Sequence, residues 1–368
     1  RAARTRAGRP APLPMHRPVR AVWVARYHYR TPADVARIMD NCARLGCNTV
    51  LWQVRGECTV TYPSQIEPWG QEFGFRNPGF DPLALAIAEA HARGLRIEAW
   101  FNTLPGWRGA TPPPLAEHTF HQHPDWFLQD AAGRRQPLTQ DYVSLNPCLP
   151  EVRRHIMSVA DEIAASYDID GLHLDYVRYI WDGIRNAVST YPYDARTVAL
   201  FERETGRTPD EDPTGWLHWR ANQLSRLVAD IQAVLAHRRP GATLTAAVRG
   251  HPSDGYWQFL QNGVGWLRSG LVDAVMPMVY TSDPHRFRAD VAAWHDLAGG
   301  QPVIPGLGIY KHNTAEPMSD QLACCATWGG DFALFSYESL CATSPGDRNA
   351  SAQALRDMRC ALLAQFGN

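Results

Sequence analysis

The chain has 368 residues, 45% of them hydrophobic, with 36 basic and 37 acidic side chains and a net charge of -1. That balance excludes the basic footprint of a nucleic-acid binder and of a protein drawn to an anionic membrane surface. No apolar run is long enough to cross a bilayer, and the length suits one large α/β unit.

Residues 1–18 are rich in Arg, Pro and Ala and lack an apolar stretch. They read as a disordered or processed lead-in rather than an intact signal peptide, with 19–368 as a single catalytic barrel. Residues 22–25 form a first strand. Thr31-Pro32-Ala33-Asp34 sets a hydroxyl cap, a first-turn Pro and an early acid at the head of a helix that Gly46 ends. Residues 48–54 are the second strand, with Arg55 and Glu57 at its far end. Asp81-Pro82 opens the second helix, which runs to Gly94. Residues 95–102 are the third strand and carry Glu98, Trp100 and Asn102.

A long excursion, 103–150, is rich in Pro, His and Trp. Its aromatics argue for a folded lid beside a cleft, with Trp107 and Trp126 as lid residues. A helix over 151–166 leads into the fourth strand, Gly171-Leu172-His173-Leu174-Asp175, and Tyr176, Arg178 and Tyr179 follow at once. A second excursion covers 181–212, with a helix near 198–204. A long helix over 216–237 precedes the fifth strand, 243–248, after which come Arg249, His251 and Asp254. One helix is predicted over 256–267. The sixth strand, 272–280, ends at Tyr280, with Asp283 just beyond. Helix 287–297, strand 303–310, helix 317–328, strand 332–337 and helix 349–366 complete the chain, with Glu338 closing the eighth strand.

These strands are apolar runs rather than alternating patterns, which is how strands buried on both faces read. The expected fold class is α/β, a (β/α)8 TIM barrel with long βα-loop excursions after strands three and four. An open doubly wound sheet is the runner-up, and no Gly-rich phosphate loop follows the first strand to support it. In such a barrel the C-terminal ends of the strands carry the active site.

Several short motifs then occur in order: Gln53-Val54-Arg55, Tyr62-Pro63-Ser64, Glu67-Pro68-Trp69, Phe80-Asp81-Pro82-Leu83, Ala99-Trp100-Phe101-Asn102, His123-Pro124-Asp125-Trp126, Leu145-Asn146-Pro147 and Asp170-Gly171-Leu172-His173-Leu174-Asp175-Tyr176. Through them the chain resembles the glycosyl-hydrolase-like family ten, a group of mostly bacterial exported proteins, over roughly residues 19–344. The resemblance implies a (β/α)8 barrel, a glycan substrate, glycosidase chemistry and a secreted or periplasmic location. Some relatives act on peptidoglycan glycan strands. Relatives often carry two consecutive acids after the fourth strand, where this chain has Asp175-Tyr176. Val177 holds the place of the acid in family-eighteen chitinases, so the substrate-assisted route of that group is not supported.

Glycoside hydrolysis calls for two carboxyls, about 5–5.5 Å apart for retention and about 6.5–9.5 Å apart for inversion. Asp175 is the first, as nucleophile or stabiliser, with Arg178 and His173 near enough to keep it ionised. His173 alternates with Asp175 along the strand, so both point into the barrel. For the second carboxyl, Asp283 and Glu338 stand ahead of Glu57. Its raised pKa would come from an apolar wall, for which Tyr280, Trp328 and Tyr337 are available. Sugar contacts are assigned to Arg55, Glu57, Trp100, Asn102, His173, Tyr176, Arg178 and Tyr280. The eight cysteines lack a metal-binding spacing, so no metal or other cofactor is expected; their even number allows disulfides in an exported protein and equally allows buried free thiols in a protein of this size. An oligo- or polysaccharide is the expected partner, with no nucleic acid and no transmembrane segment. Two other functions remain open: a carbohydrate-binding pseudoenzyme on the same barrel, and a deacetylase-type hydrolase.

Overall fold

The computed structural model describes residues 18–180, 191–343 and 349–366. Eight parallel strands close on themselves: β1 (Arg20–Val24), β2 (Thr49–Arg55), β3 (Arg96–Asn102), β4 (Gly171–Asp175), β5 (Thr243–Arg249), β6 (Ala274–Val279), β7 (Gly306–Leu307) and β8 (Phe332–Leu334). They follow one another around the barrel, and β1 pairs with both β2 and β8. The expected TIM barrel is therefore the fold. Every residue of β2 and of β4 is buried, which is why these segments lack an alternating apolar and polar pattern and why polar members such as Gln53, Arg55, His173 and Asp175 are buried too.

Local chemistry sets the helix starts. Thr31 and Asp34 form a reciprocal capping box ahead of helix Pro32–Arg44, and Gly46 leaves that helix at φ +73°. Asp81 accepts from the Leu83 and Ala84 amides at the head of helix Pro82–Ala92.

Two expectations change. The seventh strand shrinks to Gly306–Leu307, with one further bridge from Val303 to Val275. Pro302 and Pro305 flank Val303 and Ile304 and cannot donate to a ladder. The helix expected over 256–267 is two helices, Pro252–Phe259 and Gly263–Arg268. The chain breaks at Leu260, whose φ of +52° no helix accommodates. Gln261 holds the break: its side-chain oxygen accepts from Arg249 N, and its amide donates to the Val177 and Ala247 carbonyls.

The first excursion is folded. Pro105–Arg108 and Tyr142–Ser144 pair as an antiparallel ribbon above the barrel. Trp107, within this ribbon, is buried and donates to Thr111 O, while Trp126 stacks on His123. Of the second excursion, residues 181–190 lie outside the described part, as do 1–17, and helix Ala195–Thr205 follows. All eight cysteines are free thiols. Among the described residues no helix is long and apolar enough to cross a membrane.

The barrel interior is packed with Trp23, Leu51, Trp100, Met276 and Ile304. A polar belt crosses this layer. Trp23 Nε1, which can only donate, reaches His173 Nε2 at 3.0 Å, so the ring proton sits on Nδ1 and is donated to Thr245 Oγ1 at 2.8 Å. Thr245 in turn donates to Glu98 Oε2 at 2.6 Å.

Candidate active site

A cavity of about 790 Å³ opens above that belt, at the C-terminal ends of the strands. Its lining includes Trp100 and Asn102 from β3, Asp175, Tyr176 and Arg178 from the end of β4, Tyr280 after β6, and Glu338 after β8. Seven of the residues singled out from sequence therefore meet in one place.

Asp175 is buried in the cavity floor. Burial raises its pKa. The Arg178 guanidinium at 3.3 Å, the Tyr176 amide at 2.6 Å and the Trp100 side chain pull the other way without cancelling it. Tyr176 adopts φ +49°, a left-handed conformation that costs a non-glycine residue roughly 1–3 kcal/mol. The turn places the Tyr176 amide against the carboxylate and its ring edge-on to Tyr142, at 5.0 Å. The Arg178 guanidinium lies 4.2 Å over the Tyr176 ring. Asn102 is fully buried, yet neither atom of its amide has a protein partner. Its side chain is an unmatched donor and acceptor in the cavity wall.

Glu338 differs from Asp175. Its side chain is 58% exposed, and His28 Nε2 lies 3.3 Å from its Oε2. That contact lowers its pKa and outweighs the effect of partial burial. β4 and β8 have three strands between them on either side of the closed order, so the two acids face the cavity from opposite sides of the barrel mouth. Tyr280 stacks on Phe335 at 5.1 Å, and burial keeps its phenol protonated.

Four assignments are corrected. Arg55 is sealed behind the cavity, bonded to both Glu67 oxygens at 2.8 and 2.6 Å and to the Asn102 and Thr103 carbonyls. It positions the end of β3 and is closed to a ligand. Glu57 is buried in an ion pair with Arg26, so its charge is already matched. His173 lies below the cavity, locked in the polar belt, and burial pushes it down to about 3, so it stays neutral and gives Asp175 no charge. Asp283 is exposed outside the cavity, where it caps helix Pro284–Ala298 through the His285 and Arg286 amides. Glu98 is likewise committed to Thr243 and Thr245. Of the wall residues expected from sequence, Tyr337 is tied to Asn41 and Trp328 stacks on His295 at an exposed surface.

The structure adds residues that sequence reasoning did not select: Arg26, Arg108, Tyr142, Arg249, Asp254 and Asp290. Asp254 had a visible signal, being five residues beyond the end of β5. Arg108 and Tyr142 arrive together on the ribbon, a pairing that no local pattern announces. Among the described residues no group of three His, Cys, Asp or Glu side chains could hold a metal ion.

A closed parallel barrel with carboxylates and aromatic rings around its mouth is an architecture that glycoside hydrolases share with other barrel enzymes. The chain belongs to the glycosyl hydrolase-like 10 family, which it matches over residues 18–310. It is 26% identical over 349 residues to glycosyl hydrolase DigH of Escherichia coli K12, covering 82% of this chain and 74% of that protein. Glycosyl hydrolase YngK of Bacillus subtilis 168 is also 26% identical, over 78% of this chain and 58% of its own length. Among solved structures, the PgaB (BpsB) glycoside hydrolase domain of Bordetella bronchiseptica superposes with a TM-score of 0.66 at 17% identity, covering 94% of this chain and 99% of that one.

Proposed function

We propose that the protein is a glycosidase that hydrolyses a polysaccharide or glycan strand, with Asp175 and Glu338 as its carboxyl pair. The observation that carries this reading is the opposite electrostatic treatment of two acids in one cavity. Burial favours the protonated form of Asp175, which suits a general acid that protonates the leaving oxygen. His28 favours the ionised form of Glu338, which suits a base or nucleophile. This assignment reverses the role expected for Asp175 from sequence. Asn102, Tyr176 and Tyr280 supply the polar and aromatic contacts that a pyranose ring needs, and Trp100 backs Asp175. Membership of the glycosyl hydrolase-like 10 family supports the reaction class. The same family supports a secreted or periplasmic place for a barrel that acts as one unit over 19–368.

The test is product release from a panel of polysaccharides and peptidoglycan strands by wild type, Asp175→Asn and Glu338→Gln. Cleavage lost in folded variants supports the pair. Undiminished cleavage by Asp175→Asn overturns it. The first-formed anomer, read by NMR, then reports whether the pair retains or inverts.

A further inference from the structure

A second hollow, of about 260 Å³, lies beside the main cavity. It exists because the chain breaks where sequence periodicity predicts a continuous helix. Gln261 and Asn262 from that break, and Gly263 at the head of the next helix, form part of its lining. Places where local sequence rules fail are where function is to be sought.

The hollow is preformed. Gln261 is buried and makes three hydrogen bonds to backbone groups of Val177, Ala247 and Arg249. Asn262 caps the next helix through Gly265 N at 3.1 Å. Tyr256 stands as one wall, its hydroxyl bonded to His218. Val264 and Ala293 give the hollow an apolar side. An aromatic wall, an apolar side and a polar rim are what a pyranose presents in reverse: apolar C–H faces and an equator of hydroxyls. His251 lines both the hollow and the main cavity, so the two lie side by side at that residue. Its ring is oriented by accepting from Ser253 N at 3.3 Å. Beside Tyr256, Trp257 is 59% exposed and packs edge-on against it at 5.1 Å.

We infer that this hollow is a distal subsite that binds one sugar unit of the chain whose glycosidic bond sits over Asp175. The inference rests on the glycosidase reading and deepens it. It makes the enzyme chain-length dependent, with the substrate running from Asp175 past His251 to Tyr256. Binding energy gathered there positions the scissile bond without touching the reacting atoms.

The experiment compares oligosaccharides of two and of six units, as matched pairs built from glucose, galactose and N-acetylglucosamine. Wild type is set against Tyr256→Ala, which removes the wall, and Ala293→Phe, which fills the hollow. Neither residue lines the main cavity. The expected result is a kcat/KM for six units that drops roughly tenfold in both variants, while that for two units holds. Equal loss on both lengths, or no loss on either, overturns the subsite. If wild type cleaves none of the pairs, the glycosidase reading fails and calorimetric binding decides the subsite. Tighter binding of six units than of two, abolished in both variants, upholds it, and length-independent binding overturns it.

Discussion

Asn102 and Asp175 are register partners on neighbouring strands, side by side at the C-terminal ends of β3 and β4. One offers an amide without a protein partner and the other a buried carboxyl. Behind Asn102, Arg55 grips its carbonyl. The Arg55 guanidinium and Asn102 thus meet at the Asn102 carbonyl, and their roles separate on mutation. Asn102→Ala removes only groups that bond to no protein atom, so the melting temperature should hold. The kcat/KM should drop roughly tenfold to a hundredfold, the worth of one or two hydrogen bonds to substrate. Arg55→Ala should do the reverse first. It strands the buried Glu67 carboxylate and should cost about 3–5 kcal/mol, read from urea midpoints.

Asp175→Asn should lose activity by roughly 10²–10⁴-fold, the usual contribution of a general acid. It should also be more stable than wild type at pH 7. A carboxyl whose folded pKa is raised binds a proton more tightly folded than unfolded, so deprotonation at neutral pH weighs against the folded state. Asparagine removes that charge. A melting temperature below wild type at pH 7 would contradict the buried environment assigned to Asp175.

His28→Phe removes the contact that lowers the Glu338 pKa. The acid limb of the kcat/KM profile should then move to higher pH, while the basic limb, assigned to Asp175, stays. A shift of both limbs, or of neither, would remove Glu338 from the pair.

Acid should unfold the barrel in two overlapping stages. Unfolded histidine takes up a proton near pH ~6.5, whereas folded His173 waits until about 3. Between those values the unfolded chain holds more protons. Stability therefore falls as pH drops through that window, by roughly 1.4 kcal/mol per unit. Glu67 is held down to about 2 by Arg55 and His155, against the opposing effect of burial. Its contribution is present above its unfolded value of ~4.3 and is lost as pH falls toward its folded one. Urea midpoints from pH 7 to pH 4 should decline steadily in wild type and more shallowly in His173→Gln.

The barrel was legible because strands buried on both faces are largely apolar and do not alternate, and Asp175 was legible because it ends such a run. The depth of a side chain was not. His173 does point inward with Asp175, but two residues along a strand is roughly 6–7 Å, which drops it below the cavity floor. Asp283 could have been placed correctly. The Asp-Pro pair that identifies Asp81 as a helix cap recurs at Asp283-Pro284, and the structure puts both to the same use. Arg55 was beyond reach, since Glu67, twelve residues on, silences it only once the loop has folded back. The break at Leu260 was equally hidden, because its stabilising contacts come from β5 and from Val177.

The excursion between β3 and β4 leaves the barrel beside the very residues it will roof. Its first amide, Thr103 N, donates to the carbonyl of Asp175 at 2.7 Å, and its ribbon delivers Arg108 and Tyr142 to the cavity. It is a cassette mounted at the edge of the active site: an evolving lineage, or an engineer, can exchange its outer part and reshape what the cleft admits while the eight strands stay untouched. The mounting carries a condition. Because the seam is hydrogen-bonded to the backbone of Asp175 itself, a graft that disturbs Thr103 reaches the residue proposed as the acid, so productive exchanges are those that start beyond it.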